Sequence, residues 1–249
     1  MPPMGKPGPA SGFSHEQYDS AFPAGIEAHY WHQARNRVVA RKLRPWLPPT
    51  HRVLDIGCGP GIVVDYLRGV GIDCHGVDIG TPTPSSTRVA RYLHLGTDAF
   101  ELPEAFRGSV TSIVMVDVLE HMDAPDAFLR RCFQSFEKVK HILVSVPARM
   151  EIWSNYDEHY GHLRRYSLET LAELAEASGA RAVESGYFFH ALYAGARLVR
   201  LFTKERSTHV VAPRAGLAHR ALGTLLNWEE RIVPRGLPGS SVYAVLERA

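Results

Sequence analysis

Cysteine is scarce in this sequence. The 249 residues include three cysteines, Cys58, Cys74 and Cys132, with no CxxC pair and no cluster of cysteine and histidine at the spacing of a zinc site. This scarcity argues against a disulfide framework and against a structural metal. We therefore expect a reduced, cytoplasmic protein without a bound metal ion.

Long apolar runs and a strong charge of one sign are also missing. The most apolar stretch, 187–202, is interrupted by His190, Arg197 and Arg200 and is too short to span a bilayer. The 28 basic and 26 acidic residues nearly cancel, so the charge demands neither a nucleic-acid partner nor stable membrane insertion. Residues 1–22 begin with a Pro/Gly/Ser-rich stretch without the apolar centre of a signal peptide, which predicts a flexible leader.

Residues 23–249 alternate between apolar, β-branched runs and helical patterns, which predicts a single domain. This alternation is typical of an α/β fold, a doubly wound and mostly parallel sheet with helices on both faces. The final two strands lack a simple helical crossover, which favours an antiparallel arrangement at that edge. The predicted strands lie at 52–56, 73–79, 89–95, 112–116, 141–147, 181–189 and 240–249.

Three glycines, Gly57, Gly59 and Gly61, stand between the first strand and the helix that follows it. Such a turn brings bare backbone N–H groups close to a ligand at the helix N-terminus. Asp78 ends the second strand and follows Gly57 by 21 residues. This sequence spacing is typical of an acid that accepts hydrogen bonds from ribose hydroxyls. A dinucleotide site would have a third glycine where Ile62 stands, so a nicotinamide-dependent dehydrogenase is kept only as an alternative.

With Asp55 in front of the glycines, "VLDIGCGPG" resembles the first motif of the class I S-adenosylmethionine-dependent methyltransferases. "GTDAFELP" resembles their third motif, and "VMVDVLEHMDAP" resembles the fourth motif of the subgroup that contains ubiquinone-biosynthesis and natural-product enzymes. The resemblance covers about 26–190 and the last strand. It implies a Rossmann-like, seven-stranded sheet with an antiparallel C-terminal strand, and S-adenosylmethionine as the cofactor.

The resemblance also implies which residues meet the cofactor. The glycine turn would meet the methionine part, Asp78 would hold the ribose, and Asp98 would accept from the adenine amino group. Departures such as Val110 and Thr111, in place of a usual Phe-Asp pair, keep a catalytically silent binding module as a second alternative. The cofactor-binding residues expected in this half are Asp55, Gly57, Gly59, Gly61, Asp78, Ile79, Asp98, Ala99 and Val116.

The transfer of a methyl group often requires a base to deprotonate the acceptor, and histidine is the first candidate for that base. His121 follows the fourth strand, and "SNYDEHYGHLRRYS" at 154–167 resembles a run in a bacterial subgroup of the family. We expect His121, His162 and Arg165 to be catalytic, with Arg165 fixing an anionic or carbonyl group. Tyr156, Arg164 and Tyr166 are the expected substrate-binding residues. The alternative is a loop held by its own Asp–Arg pairs and a buried tyrosine.

Two helical regions flank the predicted site. A helical lid at about 23–48 would close over the cofactor, with Arg35 meeting the methionine carboxylate and Tyr30 or Trp31 covering it. An ordinary amphipathic helix with a core tryptophan is the alternative. A helical insert at about 187–235 would form an apolar substrate wall or a dimer surface, with plain core packing as the alternative, so both a monomer and a homodimer remain open. We expect methyl transfer to an oxygen, or secondarily a nitrogen, of a small molecule in secondary or cofactor metabolism.

Overall fold

The computed structural model describes residues 18, 20–200, 202–203, 213 and 216–249. Within these residues, seven strands form one sheet in the order β3-β2-β1-β4-β5-β7-β6. Strands β1 to β5 are parallel, and β7 runs antiparallel between β5 and β6. The strands are β1 Val53–Ile56, β2 Cys74–Asp78, β3 Leu93–Leu95, β4 Ser112–Val116, β5 His141–Pro147, β6 Ala180–Phe188 and β7 Ser241–Arg248.

Helices cover both faces of the sheet. Those described are α1 Tyr30–Leu43, α2 Ile62–Gly69, α3 Thr87–Ala90, α4 Glu104–Arg107, α5 Pro125–Ser135, α6 Asn155–His159, α7 Leu168–Ala177, α8 His190–Arg200 and α9 Gly216–Ile232. The predicted α/β fold class, a mostly parallel sheet with an antiparallel C-terminal strand, is confirmed.

The side chains of β4 show why the sheet needs two helical layers. All five residues of this strand are buried, so both of its faces are apolar and both must be covered. Ile113 and Met115 join the cluster that includes α5 and α7. Val114 and Val116 point to the opposite face and join the cluster that includes α1 and α2. The period of two along one strand therefore specifies a doubly wound sheet.

Two local predictions were wrong. Val89 was assigned to the third strand, but it lies in the one-turn helix α3, where the Ser86 hydroxyl accepts a hydrogen bond from the Val89 N–H at 3.2 Å. No helix was predicted within the segment 154–167, but it contains α6. Ser154 and Asp157 form a capping box at the start of this helix.

The predicted insert at 187–235 contains α8 and α9, and the residues between these helices lie largely outside the described part of the chain. Helix α9 packs on α1, where Glu230 forms ion pairs with Arg41 and Lys42. Several apolar side chains of the insert are exposed, among them Leu198 at 59% and Trp228 at 55%. No helix in the described residues is long and apolar enough to cross a membrane.

Candidate cofactor and acceptor site

The order of the sheet reverses between β1 and β4, and open α/β sheets bind ligands in the crevice at such a point. The glycine turn leaves β1 on one side of this crevice, and residues 117–121 leave β4 on the other. The two sides touch, because a Cβ atom added to Gly57 would lie 2.7 Å from Cγ2 of Val118. The carboxyl ends of β1 and β4 therefore meet in one site.

All three glycines of the turn have positive φ angles, 75° at Gly57, 52° at Gly59 and 84° at Gly61. Other residues rarely adopt this region, so the backbone conformation explains the glycines. Gly61 is the N-cap of α2, whose first turn presents backbone N–H groups towards the crevice. The three glycines therefore allow the turn to adopt a backbone conformation that other residues would strain, as expected for a turn that binds a ligand through its backbone.

Asp78 is buried at the end of β2 and is fully engaged with its surroundings. Its carboxylate oxygens accept hydrogen bonds at 2.8 Å from the N–H of Gly59, the N–H of Gly80 and the hydroxyl of Tyr18. The bond from Gly59 ties the acid to the glycine turn. Burial and the neighbouring Asp78 carboxylate raise the pKa of the Tyr18 hydroxyl.

Asp55 lies under the glycine turn and is 1% exposed. Burial raises the pKa of its carboxyl group to about 8, with Arg35 opposing the shift and Asp78 adding to it. Within the described part of the chain, Oδ2 of Asp55 has no hydrogen-bond partner. A buried carboxyl group in this state favours a cationic or hydrogen-bond-donating ligand group.

The remaining residues expected on this side lie around the same edge of the sheet. Asp98 caps a short 3-10 turn by accepting from the Phe100 N–H at 2.9 Å, and Ala99 is buried beside it. Ile79 follows Asp78 and is 38% exposed, while Val116 is buried at the end of β4. These residues lie at or just after the carboxyl ends of β2, β3 and β4, the edge of the sheet at which the sequence motifs were expected to meet the cofactor.

Arg35 and Tyr30, both on α1, lie in different surroundings. Arg35 is buried, forms an ion pair with Asp117 and stacks over the Trp31 ring at 4.4 Å. The Tyr30 ring stacks against His219 of α9 at 5.6 Å. Arg35 therefore reaches the crevice through Asp117, whereas Tyr30 faces the insert. Asp117 itself has a positive φ of 57°, a strained conformation that is frequent at functional sites.

On the other side of the crevice, which we call the acceptor side after the sequence expectation, the turn Leu119–His121 is attached to the segment 157–166. The Leu163 N–H donates to the Glu120 carbonyl at 2.7 Å, and the Tyr166 hydroxyl donates to the Leu119 carbonyl at 3.0 Å. Arg164 adds a bond to the Asp123 carbonyl at 3.2 Å. Tyr166 is buried and Arg164 contacts the backbone, so both hold these segments together.

Asp157 is the centre of the segment 154–166. Its side chain is 0% exposed, accepts two hydrogen bonds from Arg165 at 2.8 and 3.0 Å, and contacts Nδ1 of His162 at 2.8 Å. Burial would raise the pKa of this carboxyl group, but the hydrogen bond with His162 and the charge of Arg165 lower it to about 2. Arg165 also donates to the Ala148 carbonyl at 3.0 Å. Its guanidinium group is thus directed into the protein, as the alternative of an Asp–Arg-tied loop describes.

The expected catalytic histidines are brought together. The rings of His121 and His162 lie edge to face with centroids 4.9 Å apart, although 41 positions separate them in the chain. Burial and the neighbouring His162 lower the pKa of His121 to about 4, so this imidazole is neutral at physiological pH. Tyr156, six positions before His162, is half-buried and packs on Tyr160, with ring centroids 4.6 Å apart.

Three neighbouring residues were not among the predicted site residues. Tyr18 and Phe22 belong to the segment predicted as a flexible leader, most of which lies outside the described residues. Phe22 lies 3.7 Å from the Cβ position of Gly59, so this end of the segment covers the glycine turn. The aromatic spacing in "YDSAF" was the available signal. Glu120 is fully buried beside His121, and only the "LEH" motif points to it.

Comparisons with known proteins agree with this geometry. The model of the methyltransferase domain family matches residues 30–185, more than half of the chain. A probable S-adenosylmethionine-dependent methyltransferase of Mycolicibacterium smegmatis is 29% identical over 206 residues, which cover 78% of this chain and 74% of that protein. The ubiquinone biosynthesis O-methyltransferase of Psychrobacter cryohalolentis is 29% identical over 93 residues, covering 33% of this chain and 35% of that enzyme.

Solved structures share the fold. Phosphoethanolamine N-methyltransferase 2 of Haemonchus contortus, in complex with S-adenosyl-L-methionine, superposes with a TM-score of 0.57 at 18% identity, covering 97% of this chain and 60% of that one. The 1,6-didemethyltoxoflavin-N1-methyltransferase of Burkholderia thailandensis gives a TM-score of 0.54 at 17% identity, covering 88% and 80%.

The sheet order, the glycine turn and the acid at the end of β2 define a class I S-adenosylmethionine-dependent methyltransferase. The chain belongs to the methyltransferase domain family. This family assignment confirms the predicted enzyme class over a nicotinamide-dependent dehydrogenase.

Proposed function

We propose that this enzyme methylates an oxygen atom of a small-molecule acceptor, with a nitrogen acceptor as the second candidate. The acceptor would bind where the Leu119–His121 turn meets the segment 154–166. The observation that carries the proposal is the pairing of His121 with His162 at the turn after β4, next to Val118, which approaches the glycine turn. The partial similarity to ubiquinone biosynthesis O-methyltransferases supports oxygen as the acceptor atom.

The cofactor half would be held by backbone and carboxylates. Asp78 would accept from the ribose hydroxyls, and Asp98 would accept from the adenine amino group. Asp55 fits a bound amino acid moiety, because its buried Oδ2 lacks a partner among the described residues and a ligand ammonium group would supply one. S-adenosylmethionine, when bound, supplies a methyl group that is already electrophilic.

The protein's contribution to the reaction is alignment, exclusion of water and removal of a proton. His121 is the proposed base, because burial and the neighbouring His162 lower its pKa to about 4 and so keep the imidazole neutral at physiological pH. The low pKa makes it a weak base, so proton transfer would accompany methyl transfer instead of preceding it. His162 is held by Asp157, which would orient its ring. We propose Arg165 as a positioning residue that fixes Asp157. Tyr156 would pack against the acceptor, and Arg164 and Tyr166 would keep the two segments in register.

The test is a transfer assay with S-adenosylmethionine that carries a deuterated methyl group. Phenols, carboxylic acids and amines would be offered, and products would be identified by mass spectrometry and NMR. We expect O-methylated products and a loss of rate of about 100-fold in His121→Gln, the usual size of a general-base contribution. The exposed His159 provides the matched control, His159→Gln, which should retain the wild-type rate.

Two results would contradict the proposal. One is N-methylation alone across the panel, which would overturn oxygen as the acceptor atom in favour of the second candidate. The other is a His121→Gln variant that turns over as fast as the control. Binding of S-adenosylhomocysteine without turnover of any acceptor would favour the silent-module alternative.

A further inference from the structure

Glu120, His121 and His162 form a cluster with the donor set of a metal site. Each residue offers one ligand atom, and these three atoms lie within 4.8 Å of one another. Donors on one face of a coordination sphere are separated by roughly 3 Å, given metal–ligand distances of about 2.1 Å. Small side-chain rotations would therefore bring the three atoms to a shared cation. Two histidines and one carboxylate are a recurring set for divalent transition metals.

Glu120 provides an independent indication of a cation. Its side chain is completely buried, and neither carboxylate oxygen has a hydrogen-bond partner within the described part of the chain. The nearby arginines are engaged elsewhere, Arg35 with Asp117 and Arg165 with Asp157. A buried carboxylate without a partner is unfavourable, and a bound cation would compensate its charge.

The surroundings of the two imidazoles match those of metal ligands. Nδ1 of His162 lies 2.8 Å from Oδ1 of Asp157, which leaves Nε2 as the nitrogen that can ligate. This carboxylate–histidine pair is a common outer-shell arrangement at zinc sites. His121 forms a hydrogen bond with the Gly161 backbone. The bond between Leu163 and Glu120 fixes the two ligand-bearing segments relative to each other, so the donors are pre-arranged.

We propose that Glu120, His121 and His162 bind one divalent transition-metal ion such as Zn²⁺, with open coordination positions facing the acceptor. Binding of the cation does not depend on the proposed function. A role of the cation in catalysis does, because it assumes methyl transfer to an acceptor at this place. A coordinated acceptor hydroxyl would have a lowered pKa and would release its proton to water. In the metal-bound enzyme this route would replace proton transfer to His121, which is the proposed base where no metal is bound.

Co²⁺ titration of untagged, chelator-treated protein tests the site, because Co²⁺ substitutes for Zn²⁺ and its visible absorption reports the ligands. We expect one equivalent to bind to the wild type. Glu120→Gln and His162→Gln should each weaken binding by at least about 100-fold, as expected when a direct ligand is lost. His159→Gln, in the same segment but exposed, should bind as the wild type does.

Calorimetry with S-adenosylhomocysteine on the same samples reports folding and keeps the two proposals separate. If Glu120→Gln fails to bind S-adenosylhomocysteine, His121→Gln replaces it as the second ligand variant. Wild-type protein that binds no stoichiometric Co²⁺ overturns the metal site, as do ligand variants that bind Co²⁺ as tightly as His159→Gln. Tight Co²⁺ binding together with a complete lack of methyl transfer would overturn the proposed function and leave the metal site standing.

Discussion

The two sides of the crevice are built differently. The cofactor side, after β1 and β2, is formed mainly by backbone conformation, whereas the acceptor side, at Leu119–His121 and 154–166, is formed by paired side chains. Three glycines at positive φ and the carboxylate of Asp78 form the first side. Asp157, Arg165 and His162 form the second through charged hydrogen bonds. A backbone-made site is tied to the fold and suits a ligand shared by a whole family. A site made of side chains can change by substitution without altering the sheet.

The largest expected effect is on stability, at the centre of the acceptor side. Asp157→Ala would leave the buried Arg165 without its partner, and we expect the free energy of unfolding to fall by about 3–5 kcal/mol. Guanidinium chloride unfolding at pH 7 measures it. Asp126→Ala, which removes an exposed pair with Arg130, should cost less than about 0.5 kcal/mol. Equal losses in the two variants would show that Asp157 is not a structural centre.

A substitution at the contact between the two sides should have the next largest effect. Gly57→Ala would place a Cβ 2.7 Å from Cγ2 of Val118 at a φ of 75°, so we expect a loss of about 2–4 kcal/mol from steric overlap and backbone strain. Adding Val118→Ala should relieve the overlap but not the strain. A double-mutant cycle should therefore give a coupling of about 1 kcal/mol. Strict additivity would mean that the sides do not touch.

The cofactor side should also respond to pH. The raised pKa of Asp55, about 8, means that the folded protein holds a proton that the unfolded chain has released above pH 4. The free energy of unfolding of the wild type should therefore fall, relative to Asp55→Asn, as the pH rises from 5 to 7, by about 1.4 kcal/mol per pH unit. Urea unfolding at several pH values measures this slope, and the titration of His121 cancels in the difference. Parallel profiles would contradict a protonated Asp55.

The smallest effect concerns Tyr18, whose hydroxyl donates to Asp78 and would compete with a ribose hydroxyl for Oδ1. Tyr18→Phe should tighten the binding of S-adenosylhomocysteine by about 3- to 10-fold, the worth of one hydrogen bond. Calorimetry measures the change, with Tyr66→Phe on α2 as the control. Weaker binding in Tyr18→Phe would mean that this hydroxyl assists the ligand.

Most of the fold and the cofactor side could be predicted from the sequence, because both depend on local signals. Alternation, glycine spacing and an acid at a strand end are visible over short windows, and β4 and β5 were predicted with the bounds that the structure has. The Glu120–His121–His162 cluster could not be predicted in this way. Spacing rules for metal sites look for ligands close in sequence, whereas His162 reaches the other two through the fold.

The role of Arg165 shows a different limit. Its sequence context was compatible both with a substrate contact and with an internal ion pair. Only the position of Asp157, in the first turn of α6 with its side chain buried against Arg165, distinguishes the two in the structure. Sequence spacing shows that Asp157 and Arg165 can form an ion pair. Whether the guanidinium group also faces a ligand depends on how the pair is buried, which only the structure shows.

Calorimetric binding of S-adenosylhomocysteine tests most directly the division into a cofactor side and an acceptor side. We predict one-to-one binding to the wild type and to His162→Gln, with affinities within about 3-fold of each other. We predict binding about 100-fold weaker in Asp78→Ala, which loses two hydrogen bonds to a charged acceptor. An Asp78→Ala variant that binds like the wild type, or a wild-type protein that does not bind, would contradict the account.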